Sequence, residues 1–154
     1  MGTLDSSPAT VTLEAPTEQF TRADLAFHGV DHSKASFEGR IFFNNPDADA
    51  RTDPGDETYV GSFWIFGHGC CAGDEGHCEV PTDVRAFDLR LEHQLTLMSV
   101  RVVVTDKLRQ LVEPGQAFTV RVVPCLRPEN AEYLPDELLQ NLLVFDRVDL
   151  LTFQ

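Results

Sequence analysis

The chain has 154 residues, of which 42% are hydrophobic and 24% charged, and these proportions are ordinary for a folded globular protein. Asp and Glu total 25 against 12 Lys and Arg, so the formal net charge at pH 7 is -13. Phosphate binding needs clustered Lys and Arg, so this balance argues against nucleic acid and membrane partners. The excess of negative charge favours cations and basic proteins as partners instead.

The N-terminal end lacks any signal for export. It is polar and acidic, without a basic stretch followed by an apolar one, and no apolar run in the chain approaches the roughly 18 residues that cross a bilayer. We therefore expect a cytoplasmic protein, with export bound to a carrier as the alternative. In a reducing cytosol the four cysteines are expected as free thiols or metal thiolates rather than disulfides.

Alternation of apolar and polar residues is the main structural signal along the chain. It predicts strands, in chain order, at residues 10–14, 24–30, 36–44, 59–67, 86–92, 95–104, 117–123 and 143–153. The run at 59–67 is the most apolar, with Phe63 on one face and Trp64 and Phe66 on the other, which predicts a central strand covered on both sides. Residues 45–57, rich in Asp and interrupted by prolines, predict a long exposed loop.

Two short helices complete the predicted elements. Thr105 is expected to cap a helix over residues 106–111, and Pro135 to open a helical turn over residues 135–141. About eight short strands with one or two short helices predict an all-β, antiparallel sandwich or barrel rather than alternating βαβ units. We expect it to fill residues 10–154 as a single domain, after a flexible N-terminus at residues 1–9.

The segment from His68 to Cys78 is where chemistry is expected. It concentrates two imidazoles, three thiols and two carboxylates in eleven positions, and these are ligands for soft or borderline metals. The candidate metal ligands are His68, Cys70, Cys71, His77 and Cys78. Their spacing is not the paired C-x₂-C of a zinc finger, so a local disulfide or inert buried thiols with surface histidines remain open.

Two further histidines, His28 and His32, are second-tier ligand candidates. Four residues apart on an extended strand they would face the same way, although Gly29 and Asp31 indicate a bend between them.

Other site types have weaker support. A blue-copper set of Cys78, His93 and Met98 is too widely spaced, and neither a nucleophile elbow, a phosphate loop nor an H-E-x-x-H helix is present.

Four runs of sequence resemble a known family. They are Phe27-His28-Gly29-Val30, residues 37–43, residues 60–67 and Phe87-Asp88-Leu89-Arg90-Leu91. Together they resemble the C-terminal β domain of type 3 copper proteins, the haemocyanins, tyrosinases and polyphenol oxidases. The resemblance implies a cupredoxin-like sandwich that sits over the dicopper domain, shapes access to it, and in some relatives helps to load copper through a Cys-rich motif.

The chain departs from that family in lacking the oxidase itself, because a type 3 centre needs more histidines than the five present here, on a helical bundle. The resulting hypothesis is a non-catalytic accessory domain that binds or delivers copper, or zinc as the alternative, and has a type 3 copper oxidase as its partner. One rival is a small metalloenzyme whose histidines at 28, 32, 68 and 77 leave a metal position open. The other is a metal-free structural interaction module.

Overall fold

The computed structural model describes residues 7–69, 86–87, 97–127 and 134–154. These residues contain seven strands and two short helices. In chain order they are β1 (Ala9–Glu14), β2 (Arg22–Val30), β3 (Phe37–Phe43), β4 (Tyr59–Ile65), β5 (Met98–Val103), α1 (Thr105–Leu111), β6 (Ala117–Cys125), α2 (Asp136–Leu139) and β7 (Arg147–Phe153). None of the described helices is long and apolar enough to cross a membrane.

The strands form two antiparallel sheets. One has four strands in the order β1-β6-β3-β4, and the other has three in the order β5-β2-β7. Alternate residues of both sheets contribute to one apolar cluster, as expected when two half-buried sheets pack face to face. The predicted all-β sandwich is therefore confirmed.

Aromatic side chains join the two sheets. Phe27 of β2 and Phe63 of β4 have ring centroids 5.0 Å apart, and Phe37 of β3 lies against the same Phe63 ring. Gly39 is the cross-strand partner of Phe63, and a Cβ on that glycine would lie 2.4 Å from Phe63 Cζ. The ring therefore occupies the space that a side chain at Gly39 would need, and the glycine is a packing requirement of the core.

The predicted loop after β3 packs onto the outer face of the four-stranded sheet. Ala48 of that loop is buried in a small cluster with Phe42 and Val123, and Tyr59 and Cys125 pack against it. Asp side chains organise the loop locally; Asp49, for example, accepts hydrogen bonds from the backbone nitrogens of Arg51 and Thr52. The loop is exposed as predicted, but it is anchored at Ala48.

Among the described strands, β4 lies at the edge of its sheet rather than at the predicted centre, and Trp64 and Phe66 are 60% and 79% exposed. The last strand also starts later than predicted, at Arg147. The predicted strand at 86–92 lies outside the described residues except for Ala86 and Phe87, which are in a turn.

Thr105 does not cap the helix that it was predicted to cap. Val104 occupies the N-cap position, and no side chain caps α1. The Thr105 hydroxyl instead accepts a hydrogen bond from the backbone nitrogen of Ala23, 3.0 Å away. The hydroxyl satisfies a backbone donor at the start of β2, where Ala23 is fully buried, and so ties the helix to that strand.

Replacing Gly39 by Ala tests the packing of Phe63. The added methyl group would force the ring out of its position, so we expect a loss of about 1–3 kcal/mol in the free energy of unfolding, as in other overpacked cores. Urea denaturation measures it. The matched control is Thr12→Ala on exposed β1, expected to change stability by no more than about 0.5 kcal/mol. Equal stability of the two variants would contradict the assigned role of Gly39.

Candidate functional site

His32 and His68 lie side by side at one end of the sandwich, just beyond strands β2 and β4. The pairing of β3 with β4 and a backbone hydrogen bond beyond it bring them together. Phe37 at the start of β3 is paired with Ile65 at the end of β4, so the residues before β3 run alongside the residues after β4. The backbone nitrogen of His68 donates to the carbonyl oxygen of His32 at 2.9 Å, which extends this pairing.

The two imidazole rings are in direct contact. Their Nδ1 atoms are 3.1 Å apart, and the rings meet edge to face with centroids 4.9 Å apart. Without a metal, one ring donates its Nδ1 hydrogen to the other, and the tautomers decide which is the donor. Both side chains are partly exposed, and the Phe66 ring lies edge-on to His68 at a centroid distance of 5.7 Å.

Glycines allow the two backbone segments to approach this closely. A Cβ on Gly67 would lie 2.0 Å from the carbonyl oxygen of Lys34, and one on Gly69 would lie 3.0 Å from the carbonyl carbon of the same residue. Gly67 N donates to Ser36 Oγ at 2.9 Å, and Gly69 N donates to Lys34 O at 3.0 Å. Gly67 and Gly69 therefore hold the segment before β3 in close backbone contact with the segment after β4.

One acidic and one basic side chain, Asp31 and Lys34, lie close to His32 in sequence. Burial alone would raise the pKa of Asp31, but hydrogen bonds from Ser33 and the charges of Lys34 and His32 outweigh it and hold that pKa below its usual value. Asp31 is therefore ionised at neutral pH. The Lys34 ammonium donates to the carbonyl oxygens of Gln140 and Asn141, both at 3.0 Å, at the end of α2.

His28 belongs to a different group of residues. Its Nε2 lies 3.0 Å from Asp149 Oδ2, an ion-pair distance without the direction of a good hydrogen bond, and Arg147 donates to the same carboxylate oxygen. The bend predicted between His28 and His32 is present. Gly29 has a positive φ of 67°, and the pairing of β2 with β5 shifts register between Phe27 and Val30.

The other predicted ligands, Cys70, Cys71, His77 and Cys78, lie outside the described residues. Within the part of the chain that the structure describes, no group of three or more His, Cys, Asp or Glu side chains is placed to hold a metal ion. The fourth cysteine, Cys125, lies at the outer face of the four-stranded sheet, where burial raises the pKa of its thiol. The described site thus consists of two imidazoles, one of which, His68, lies two residues before Cys70 in sequence.

The pair fits a metal ion by distance. Two nitrogens each about 2.0–2.1 Å from one ion lie roughly 2.9 Å apart at a right angle and roughly 3.3 Å apart at the tetrahedral angle. The observed 3.1 Å between the Nδ1 atoms falls between these values. Imidazole is a ligand that copper, zinc and nickel share, so the donors suit a borderline divalent ion.

Sequence reasoning included His32 and His68 among the ligands but did not pair them. Chain order alone could have predicted the pairing of the two segments, because the strands at 36–44 and 59–67 follow each other in the chain and form an antiparallel hairpin. An antiparallel hairpin that pairs the first residue of one strand with the last of the other places the flanking segments together. The register itself, however, depends on the glycine and aromatic packing of the core.

Comparisons with known proteins give a likeness of fold. No protein-family model matches the sequence, and no curated protein matches it either. Among solved structures, recombinantly expressed latent aurone synthase, a polyphenol oxidase, matches 97% of this chain with a TM-score of 0.53 and 14% identity. The same enzyme co-crystallized with hexatungstotellurate(VI) and soaked in H2O2 matches with a TM-score of 0.52 and 13% identity. The chain spans 25% of the length of each of these chains.

Stability should depend on pH through Asp149. The hydrogen bond from Arg147 is the main cause that lowers the pKa of Asp149; burial opposes it, and the charges of Arg147 and His28 add to the lowering. A carboxylate whose folded pKa is depressed stabilises the fold above its unfolded pKa, and this contribution is lost as pH falls through the folded value. We therefore expect Asp149→Asn to lower the thermal midpoint at pH 7 and to lose that effect progressively as the pH falls below about 4.

Thermal denaturation of both forms between pH 3 and pH 7 measures this dependence. Asp106→Asn is the control, because the Asp106 carboxylate is 98% exposed and its contact with Arg109 is long, at 3.9 Å. We expect that variant to follow the parent protein at every pH. A deficit of Asp149→Asn that stays constant down to pH 3 would contradict the assignment.

Proposed function

We propose that the chain is a non-catalytic, cupredoxin-like accessory domain related to the C-terminal domain of type 3 copper oxidases, which binds or delivers copper, covers the active site of a partner oxidase, or does both. The observation that carries this proposal is the likeness of fold to one quarter of a latent polyphenol oxidase, over nearly the whole of this chain. That enzyme is a latent form, which suits a domain that holds an oxidase inactive.

The position of the family-like runs supports the same relationship. Phe27-His28-Gly29-Val30 ends β2, residues 37–43 are β3, and residues 60–67 are β4 and its continuation. These runs supply the rings that join the two sheets and the segment that ends beside His68. The sequence resemblance and the likeness of fold therefore involve the same part of the sandwich.

A covering role agrees with the elements that the described residues provide. A type 3 centre needs histidines on a helical bundle, whereas the described helices, Thr105–Leu111 and Asp136–Leu139, are short and contain no histidine. The reaction would accordingly belong to the partner oxidase. The net charge of -13 would help the chain to attract a cation or to approach a basic surface of that partner.

Copper is the proposed cargo, with zinc as the alternative ion for the same donors. The ligands would come from His68, Cys70, Cys71, His77 and Cys78, with His32 joining through its contact with His68. Thiolates prefer Cu(I), and imidazoles accept Cu(II) and Zn(II), so a mixed set suits transfer of an ion rather than a closed structural site. His28 would join only by leaving Asp149.

A metal-free interaction module is the second candidate, and exposed aromatic side chains favour it. Trp64 and Phe66 project from the edge strand β4 and its continuation, and the Arg127 guanidinium lies over the Trp64 ring at 5.7 Å. Exposed aromatic residues of this kind are enriched at protein interfaces. In this candidate the thiols would bind no metal, which separates it from the first.

Metal analysis of the purified chain tests the copper proposal. After expression with added copper, we expect close to one copper per chain, and we expect Cys70→Ser and Cys78→Ser to lose most of it because thiolates hold Cu(I). Free thiols are counted in the same samples. Cys125→Ser is the matched control and should keep its copper, since Cys125 packs in the outer-face cluster.

Two results would contradict copper binding through the thiols. One is a chain without copper whose thiols are oxidised, which would favour the metal-free module. The other is an equal loss of copper in Cys125→Ser, which would show that the substitutions act by destabilising the fold rather than by removing ligands.

A further inference from the structure

We propose that His32 and His68 form a binding site of their own for a borderline divalent ion, Cu(II) above all, and that this site works without the thiols. The inference deepens the proposed function, on which it rests for the identity of the metal. It assigns the oxidised ion to the imidazole pair and leaves the reduced ion to the cysteines.

The first support is the separation of the donor atoms. The Nδ1 atoms are 3.1 Å apart, which matches the spacing of two ligands of one ion at ordinary metal–nitrogen distances. In the metal-free protein a single hydrogen lies between the two nitrogens. To bind one divalent ion, the donating ring would carry that hydrogen on Nε2 instead, and both rings would turn their Nδ1 lone pairs from each other towards the ion.

The second support is the rigidity of the two segments that carry the rings. His68 N donates to His32 O, Gly69 N donates to Lys34 O, and Gly67 N donates to Ser36 Oγ, all at 2.9–3.0 Å. These three hydrogen bonds on consecutive residues fix one segment against the other. Ligands that are already held in place lose less conformational entropy on binding, and this raises the affinity.

The third support is access and charge. Both histidines are partly exposed, so an ion can reach them from solvent and complete its coordination with water. Lys34, the nearest cation in sequence, is engaged by the carbonyl oxygens at the end of α2. A site with two protein ligands and water in the other positions exchanges its ion readily, as a transfer site must.

The chemistry of the donors sets the expected selectivity. First-row divalent ions bind nitrogen ligands most tightly at Cu(II), with Ni(II) and Zn(II) weaker, whereas Mg²⁺ and Ca²⁺ prefer oxygen ligands. We expect the same order at the pair. Binding of Mg²⁺ or Ca²⁺ as tight as that of Cu(II) would contradict an imidazole site.

The experiment titrates Cu(II) into a chain in which Cys70, Cys71 and Cys78 are replaced by Ser, with glycine as a competing chelator. In this background we expect His32→Asn and His68→Asn each to weaken Cu(II) binding by at least tenfold. Asn places an amide atom about where Nδ1 lies, so it preserves the contact between the segments but is a poor copper ligand. His28→Asn is the matched control and should bind within twofold of its parent.

Electron paramagnetic resonance of the Cu(II) form supplies a readout that a merely structural role would not change. We expect splitting from two imidazole nitrogens in the parent and fewer coupled nitrogens in His32→Asn and His68→Asn. Cu(II) should also raise the thermal midpoint of the parent, the chain with Ser at 70, 71 and 78, but not that of the two histidine variants. This comparison distinguishes loss of the site from a variant that is only less stable.

Unchanged Cu(II) affinity and unchanged nitrogen splitting in both variants would overturn the inference, as would an equal loss in His28→Asn. Such a result leaves copper binding by the thiols untouched, because the titration is made without them. Conversely, the metal analysis of the Cys70→Ser and Cys78→Ser chains, which keep both histidines, tests the proposed function alone. The two proposals can therefore fail separately.

Discussion

The pairing of β3 with β4 is the constraint on which this end of the sandwich depends. Gly39 opposite Phe63 fixes the register, because only a glycine leaves room for the ring. The same register places Phe37 opposite Ile65 and carries the flanking segments past each other, so that His32 meets His68. A core packing requirement in the middle of the hairpin thus determines the geometry of the candidate site beyond its end.

Much of this architecture follows from local pattern. Period-two alternation is a property of single strands, and it located β1, β2, β3, β5 and β6 closely. Strand order is not local, which is why the apolar run of β4 predicts a central strand, whereas among the described strands it lies at the edge. An apolar outer face, here Trp64 and Phe66, indicates either a covered strand or an exposed aromatic surface, and alternation alone does not separate them.

The site was predictable in composition but not in arrangement. Residue types alone identified His68 and His32 as ligand candidates, whereas their contact depends on a register set by core packing. Thr105 is a second example. Its hydroxyl is able to cap a helix or to accept a hydrogen bond from the backbone nitrogen of Ala23, and the position of the buried strand β2 determines that it does the latter. His28, by contrast, was separated from the others by the bend that Gly29 introduces, as its sequence context indicated.

The proposal that this sandwich acts on an oxidase is best tested on the two proteins together. The chain is titrated into a polyphenol oxidase catalytic domain that lacks its own C-terminal region, while polyphenol oxidation and co-elution are followed. The account predicts a saturable fall in activity with one chain bound per oxidase, and no oxidation by the chain alone. Unchanged oxidase activity at every ratio, with the two proteins eluting separately, would contradict it.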